Sequence, residues 1–490
     1  MTDLSWISAT EALALFRARE LSPVELMNAV IEQADHVEPA IGAFANRRYD
    51  RALEAAGAAE ARYAGDQATV RPLEGLPTAL KEEQAMAGEP LRLGSLATDD
   101  TPAQASHPVV ERVLAAGGIP HARTTTPELS SAGFTHSRLW GITRNPWRLD
   151  RSCGGSSGGS AAALAAGSAS LATGSDIAGS IRIPASMCGV VGFNPPYGRV
   201  PDVAPYNLDP YCANGPMART VGDCALLADV LAGPHPYDPA SLRPAHRLPA
   251  ELGDVDGLRV AFCPVPGDYA VDREVAANLR AAAERLRDAG VAVDEVELDW
   301  ARADVLGGAF IHYGSIWGPA LAHEIGDRED LAMPYTRDLL HRCRAAREGG
   351  GYFEGLLLQS RVLEALGRVH ERFDALLCPT LALPALEAGE DYVERVPVVD
   401  GRELSHYFEM LLTIPFNIAG RCPVLSLPSG LSSDGVPTGV QVVGRTYDDD
   451  TVFHIGAALE RTGLGFGAGA DWRPPLEAAV GSTSRGEEQP

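Results

Sequence analysis

The fifty residues from Arg151 to Val200 constrain the fold more than any other stretch. They are so rich in glycine, serine and alanine that composition alone would allow a flexible linker. The order of the residues argues against one. After GGSSGG (154–159) comes SAAALAAGSASLA, a helix former too apolar to stand in solvent, and SIRIPASMCGVVGF (180–193) again joins a helix start to core residues. Two glycine loops must each feed a helix that a larger structure buries. At 490 residues and 45% hydrophobic content the chain can supply that burial.

LRVAFCP (258–264), DREVAANLRAAAERLRDAG (272–290) and VAVDEVELD (291–299) read as strand, helix, strand. Val275, Leu279, Ala282 and Leu286 fall on one helical face, and Gly290 supplies the stop. DALLCP, PVLSLP and TGVQVVG read as further buried strands, and DDDTVFHIGAALER as a closing helix. Ser8 and Ser22, the latter followed by Pro23, mark helix starts within the first 70 residues. The expected class is α/β: a large mixed, mostly parallel twisted sheet with helices on both faces.

A net charge of −24 excludes nucleic acid and anionic membrane as main partners, because both need basic patches. No apolar run approaches the roughly 20 residues of a membrane span, and the first residues lack the order of a signal peptide. A cytoplasmic protein acting on small molecules, as monomer or homodimer, is expected. The eight cysteines have neither C-x-x-C pairs nor histidines at metal spacing, so they read as buried free thiols, with no metal.

Forty arginines accompany a single lysine, Lys81. Arginine stays protonated in proteins, whereas a desolvated lysine can become a neutral amine and act as a base. LEGLPTAL, just before Lys81, is apolar enough to place that amine at a buried strand end, where its pKa falls. Ser156 in GGSSGG and Ser180 in DIAGSIR each sit on a tight turn at a helix start, where backbone N–H groups converge. A serine nucleophile needs a proton acceptor, and no local signature marks one among the twelve histidines. A lysine base would serve.

GGSSGGSAAA followed by GSDIAGSIRIPASMCGVVGFNPPYGRV resembles the signature of the amidase signature family, and LPTALKE resembles its lysine motif. The spacings resemble the family's too: 75 residues from Lys81 to Ser156 and 24 from there to Ser180. The likeness runs through ANGPMARTVGD, TIPFNIAGRCPVLSLPSG and GVQVVGR, nearly the whole chain. It implies one domain over 1–475, with N-terminal helices (1–70) packed on a catalytic core (71–200), leaving 476–490 as a disordered tail. Carried over, the resemblance implies Ser180 as nucleophile, Ser156 as a bridging serine after a cis peptide at Gly155, Lys81 as base, and backbone N–H groups of Ile177, Ala178, Gly179 and Ser180 as oxyanion hole. No cofactor is implied. An amine working near neutral pH asks for burial and for no close carboxylate.

Three residues depart from the family pattern: Glu82 for Asp, Ala178 for Gly, and Asn194 for Lys. The Cβ of Ala178 would narrow the acyl side of the pocket. Ser157, Asp176 and Arg182 are candidates for orienting the loops, Arg182 chiefly by pairing with a carboxylate. By resemblance, Ser130, Ser131, Phe134, Tyr206, Tyr211 and Phe416 would wall a cavity for small neutral amides, aryl amides included. Esters and carbamates fall within the same acyl-enzyme chemistry. Two enzyme alternatives stand beside this reading: an A-type subunit of a tRNA-dependent amidotransferase, which needs partners and RNA, and an α/β-hydrolase using Ser156, whose preceding NPWRLDRSC is no buried strand. A non-enzymatic binding protein would leave the lone lysine unexplained.

Overall fold

The computed structural model describes residues 4–476. An 11-stranded sheet forms its centre. In chain order its strands are β1 (Phe44–Arg47), β2 (Pro77–Lys81), β3 (Ile119–Thr124), β4 (Leu171–Asp176), β5 (Val191–Asn194), β6 (Ala213–Ala218), β7 (Arg259–Phe262), β8 (Ala292–Glu295), β9 (Ala375–Pro379), β10 (Val424–Leu431) and β11 (Pro437–Gly444). Across the sheet they run β1-β3-β2-β4-β6-β5-β10-β11-β9-β7-β8. The fold is α/β and the sheet mixed, as expected, but it is not mostly parallel: six of its ten pairings are antiparallel.

The physical reason lies in the connections. Parallel strands need a long crossover, and helices Pro108–Ala115, Gly158–Ala165 and Arg273–Asp288 supply those between β2 and β3, between β3 and β4 on the far side of β2, and between β7 and β8. PVLSLP and TGVQVVG are mostly apolar because both faces of the sheet are covered, yet a tight turn joins them as an antiparallel hairpin. Ala261, Leu376 and Val443 enter one core cluster, while their strand neighbours Val260, Leu377 and Val442 enter another. Alternation along buried strands thus feeds two cores, one on each face.

The N-terminal helices start where expected. Ser8 accepts from Glu11 N, and Ser22 forms a capping box with Glu25 ahead of Pro23. Both glycine-fed helices, Gly158–Ala165 and Arg182–Cys188, are buried along their whole length. The eight cysteines are free, seven of them buried. No helix among the described residues is long and apolar enough to cross a membrane. Leu476, the first residue of the expected tail, packs into the core, and 477–490 lie outside the described residues.

Candidate active site

β2 and β4 run parallel side by side, so their last residues, Lys81 and Asp176, emerge at the same edge of the sheet. That carboxyl edge is where open α/β sheets gather ligands. Every residue of β2 is buried, as the apolar run before Lys81 requires. After Lys81 the chain turns at once: Gln84 N donates to Lys81 O at 3.1 Å, and the Arg123 guanidinium gathers the carbonyls of Glu82 (2.9 Å) and Gln84 (2.6 Å). The turn folds Glu83 back over the lysine.

Lys81 has no solvent exposure. Its Nζ lies 2.7 Å from Ser156 Oγ, 2.7 Å from Ser175 Oγ and 2.6 Å from Glu83 Oε2. The Ser175 hydroxyl donates to the same Glu83 oxygen at 2.5 Å. The expectation that no carboxylate stands near the amine is therefore corrected. Burial drives the Lys81 pKa below the ordinary amine value, against the opposing pull of Glu83, Asp176 and Glu82. Burial alone would raise the Glu83 carboxyl; Lys81 and the Ser175 and Ser130 hydroxyls outweigh it and hold the group below the usual carboxylate range.

The Gly155–Ser156 peptide is cis. Glycine is needed there for space, since a Cβ would stand 2.6 Å from Phe134 O and 2.7 Å from Phe134 N. Ser157 ties the two loops together: its N–H donates to Ser180 O at 3.1 Å, and its hydroxyl accepts from Ser175 N at 3.3 Å. The 176–181 turn is wound around the Asp176 carboxylate, which accepts from Gly179 N (2.7 Å), Ile181 N (3.2 Å), Asn417 Nδ2 (2.9 Å) and Arg182 through both Nε (3.0 Å) and Nη2 (2.9 Å). Burial alone would push the Asp176 carboxyl up, but Arg182 and Asn417 hold it below its ordinary value. Arg182, itself fully buried, also donates to Thr413 O and to Gln441 and Asn417.

Four N–H groups were expected to face an oxyanion. Gly179, at φ +119°, commits its N–H to Asp176, which corrects that part of the expectation; Ile177, Ala178 and Ser180 are the remaining candidates. Two side chains from distant segments fix the carbonyls between them. Tyr313 OH donates to Ile177 O at 3.2 Å, and Thr413 Oγ1 donates to Ala178 O at 2.6 Å. The Ala178 side chain is buried in the core and is absent from the cavity wall, so it does not narrow the pocket.

Ser156, Ser175 and Ser180 open onto one cavity of about 290 Å³. Ser130 and Tyr206 line it as expected, together with Leu91, Val203, Trp317 and Leu321. The other four expected wall residues do not. Phe134 sits among Tyr335, Tyr392 and Tyr407; Tyr211 stacks on His312 at 3.8 Å; Phe416 packs near Trp300; and the Ser131 hydroxyl donates to Glu128 O. The three aromatic rings are packed in the core, and the Ser131 hydroxyl is satisfied there. Glu82 is similarly committed. Its carboxylate accepts from Arg92 N (2.6 Å) and Leu93 N (2.9 Å), anchoring the loop that carries Leu91, while burial pushes its pKa up to about 7.

Glu83, Ser175, Tyr313 and Thr413 were not anticipated. A signal existed for two, since Glu83 lies two residues beyond the lone lysine and Ser175 immediately before Asp176. Tyr313 and Thr413 meet their carbonyls from 136 and 235 residues away, a separation that leaves no local trace.

Residues 25–305 and 341–453 match the amidase family. An acylamidase of Rhodococcus erythropolis is 33% identical over 472 residues, covering 94% of this chain and 96% of the relative. The A subunit of the glutamyl-tRNA(Gln) amidotransferase of Thermosynechococcus vestitus is also 33% identical, over 91% of this chain and 95% of its own. A bacterial aryl acylamidase structure superposes with a TM-score of 0.82 at 28% identity, over 93% of this chain and 96% of that one. The signature loops at the carboxyl edge of the sheet and these full-length likenesses lead to one conclusion: the chain belongs to the amidase signature family of hydrolases.

Proposed function

We propose that this enzyme hydrolyses small neutral amides, aryl amides among them, through an acyl-enzyme on Ser180, with Ser156 as bridge and Lys81 as base. The observation that carries the reading is the 2.7 Å approach of the fully buried Lys81 Nζ to Ser156 Oγ, which lines the same cavity as Ser180. The neutral amine takes the Ser156 proton while Ser156 takes that of Ser180, whose oxygen attacks the amide carbonyl. Charge developing on the carbonyl oxygen meets the N–H groups of the 177–180 turn. The proton then returns to the leaving nitrogen, without which an amide anion would have to depart, and water releases the acyl group by the same route. Esters and carbamates offer better leaving groups to the same machinery.

The base is the unprotonated amine, so the rate rises with pH as Lys81 loses its proton and levels off above that. Burial brings this rise below the ordinary amine range. A mostly apolar wall of Leu91, Val203, Trp317 and Leu321 favours apolar acyl or aryl groups. The likeness to amidotransferase A subunits supports a second reading, in which the chain needs partner subunits; the net charge of −24 weighs against an RNA-facing role. Chromogenic anilides, esters and carbamates given to the purified chain decide between them. Hydrolysis without partners, lost by about 10⁴-fold or more in Ser180→Ala, supports the proposal; full activity in that variant overturns the nucleophile, and inactivity of the wild-type chain alone favours the second reading.

A further inference from the structure

The contact between Ser156 and Lys81, beside the cavity that Ser180 lines, continues past the amine. Glu83 Oε2 is 2.6 Å from the amine and 2.5 Å from Ser175 Oγ, so the carboxylate, the amine and the Ser175 hydroxyl close a three-membered ring of contacts around Nζ. The fourth direction is taken by Ser156 Oγ at 2.7 Å. With nitrogen fixed on three sides, its remaining approach is toward the bridging serine. Glu83 is 31% exposed at the side chain and faces the cavity, so it is neither sealed in the core nor free in solvent.

We infer that Glu83 is a positioning residue for the reaction: it aims the Lys81 amine at Ser156 and stabilises the ammonium that forms when the amine takes the Ser156 proton. This rests on the reading of Lys81 as base. Glu83 itself gains and loses no proton. As Nζ becomes positive, an existing negative charge at 2.6 Å lowers the energy of the proton-transferred state, with no rearrangement needed at that moment. The cost is that the same charge favours the ammonium at rest, so more base is withheld at low pH. Burial works in the opposite direction, and the pair sets the amine between these two tendencies.

The other charged groups around the amine leave this role to Glu83. Glu82, on the same turn, is committed to Arg92 N and Leu93 N; Asp176, from β4, is neutralised by Arg182; and Arg123, from β3, is directed at the carbonyls of the turn. From the opposite wall Tyr206 and Cys212 face Glu83, and neither carries charge near neutral pH; Glu324 and the His107–Asp202 pair line the same cavity, but among the described residues Glu83 is the carboxylate in ion-pair contact with the amine.

The single lysine makes the test direct. In protein labelled with [6-¹³C]lysine, one Cε resonance reports the Lys81 titration. In Glu83→Gln, and in Glu83→Ala as a second variant, its midpoint and the acid limb of kcat/KM both move to lower pH by at least about one unit, because the ammonium has lost its partner charge. The plateau kcat falls about 10- to 100-fold. Glu83→Asp retains a midpoint closer to wild type. A limb and midpoint that stay in place in both carboxylate-free variants, or that move to higher pH, overturn the inference. Lys81→Ala run alongside separates the two claims: if it keeps wild-type activity the base assignment fails, whereas an inactive Lys81→Ala beside an unmoved Glu83→Gln profile sinks only the role of Glu83.

Discussion

The two halves of the cavity are built on different principles. The half that holds Lys81, Ser156 and Ser180 stands on strand ends and two short buried helices, and its polar groups are cross-tied: Asp176 alone accepts five hydrogen bonds. The opposite half, Leu91, Val203, Tyr206, Trp317 and Leu321, comes from loops and from helix Trp317–Ile325 and is mostly apolar. Buried hydrogen bonds demand one geometry and penalise every other, while apolar contact tolerates many shapes. The polar half can therefore hold a fixed reaction geometry while the apolar half adapts to different substrates. Changes in the first half should act on kcat and stability, and changes in the second on KM and substrate choice.

The largest effect expected tests the chemistry of the polar half. Lys81→Arg keeps a positive charge but cannot supply a neutral amine, so kcat should fall about 10³- to 10⁴-fold at every pH, with the alkaline rise removed. A stopped assay across pH measures this. Retention of more than a tenth of wild-type kcat would mean that charge, and not a titrating amine, is what the site needs.

Next comes Arg182→Met, which leaves Asp176 buried without its partner. Breaking a buried pair in this way costs about 3–5 kcal/mol. The sign with pH follows from the carboxylate. In the wild type its pKa is depressed, so the pair stabilises the fold above the unfolded Asp pKa and the benefit fades as acid protonates the group. Without Arg182, burial raises that pKa instead, and the defect should be greatest at neutral pH and shrink on acidification. Urea denaturation at two pH values reads this directly, and a pH-independent deficit would assign Arg182 to packing alone.

Legibility in the sequence divides along the same line. The lone lysine after an apolar run, the glycine loops and the DIAGSIR turn all carry local signals, because strand ends, tight turns and helix starts are set by neighbours in the chain. Ser8, Ser22 and the strand-helix-strand unit at 259–295 were readable for the same reason. What failed was long-range. The buried runs at 424–431 and 437–444 suited either strand direction, and only their turn settled it. Phe134, Tyr211 and Phe416 have chemistry equally suited to a pocket wall or a core, and helices such as Arg302–Ser315, not foreseen, decided in favour of core.

Thr413→Val probes the seam between the regions, since Thr413 lies outside the cavity and its hydroxyl, the group this variant removes, holds the turn through Ala178 O. Its loss leaves a buried carbonyl without that donor, at about 1–3 kcal/mol of stability. The turn bearing the oxyanion candidates loosens, so kcat should drop about tenfold, less than the 10²–10³ typical of deleting a direct donor. An unchanged kcat with reduced stability would show the turn to be held well enough by Asp176 and Tyr313.

The smallest effect expected belongs to the apolar half. Val203 is 42% exposed and lines the cavity, so its truncation removes contact area without opening a core cavity. Val203→Ala should leave unfolding within about 0.5 kcal/mol of wild type and kcat unchanged. kcat/KM for bulky acyl or aryl groups should fall by a few-fold relative to small ones, in line with the roughly 1–3 kcal/mol ceiling per methylene in an apolar pocket. A series of anilides graded in size measures that ratio. If instead kcat falls equally for every substrate, the apolar wall is part of the reaction geometry, and the division of labour between the two halves does not hold.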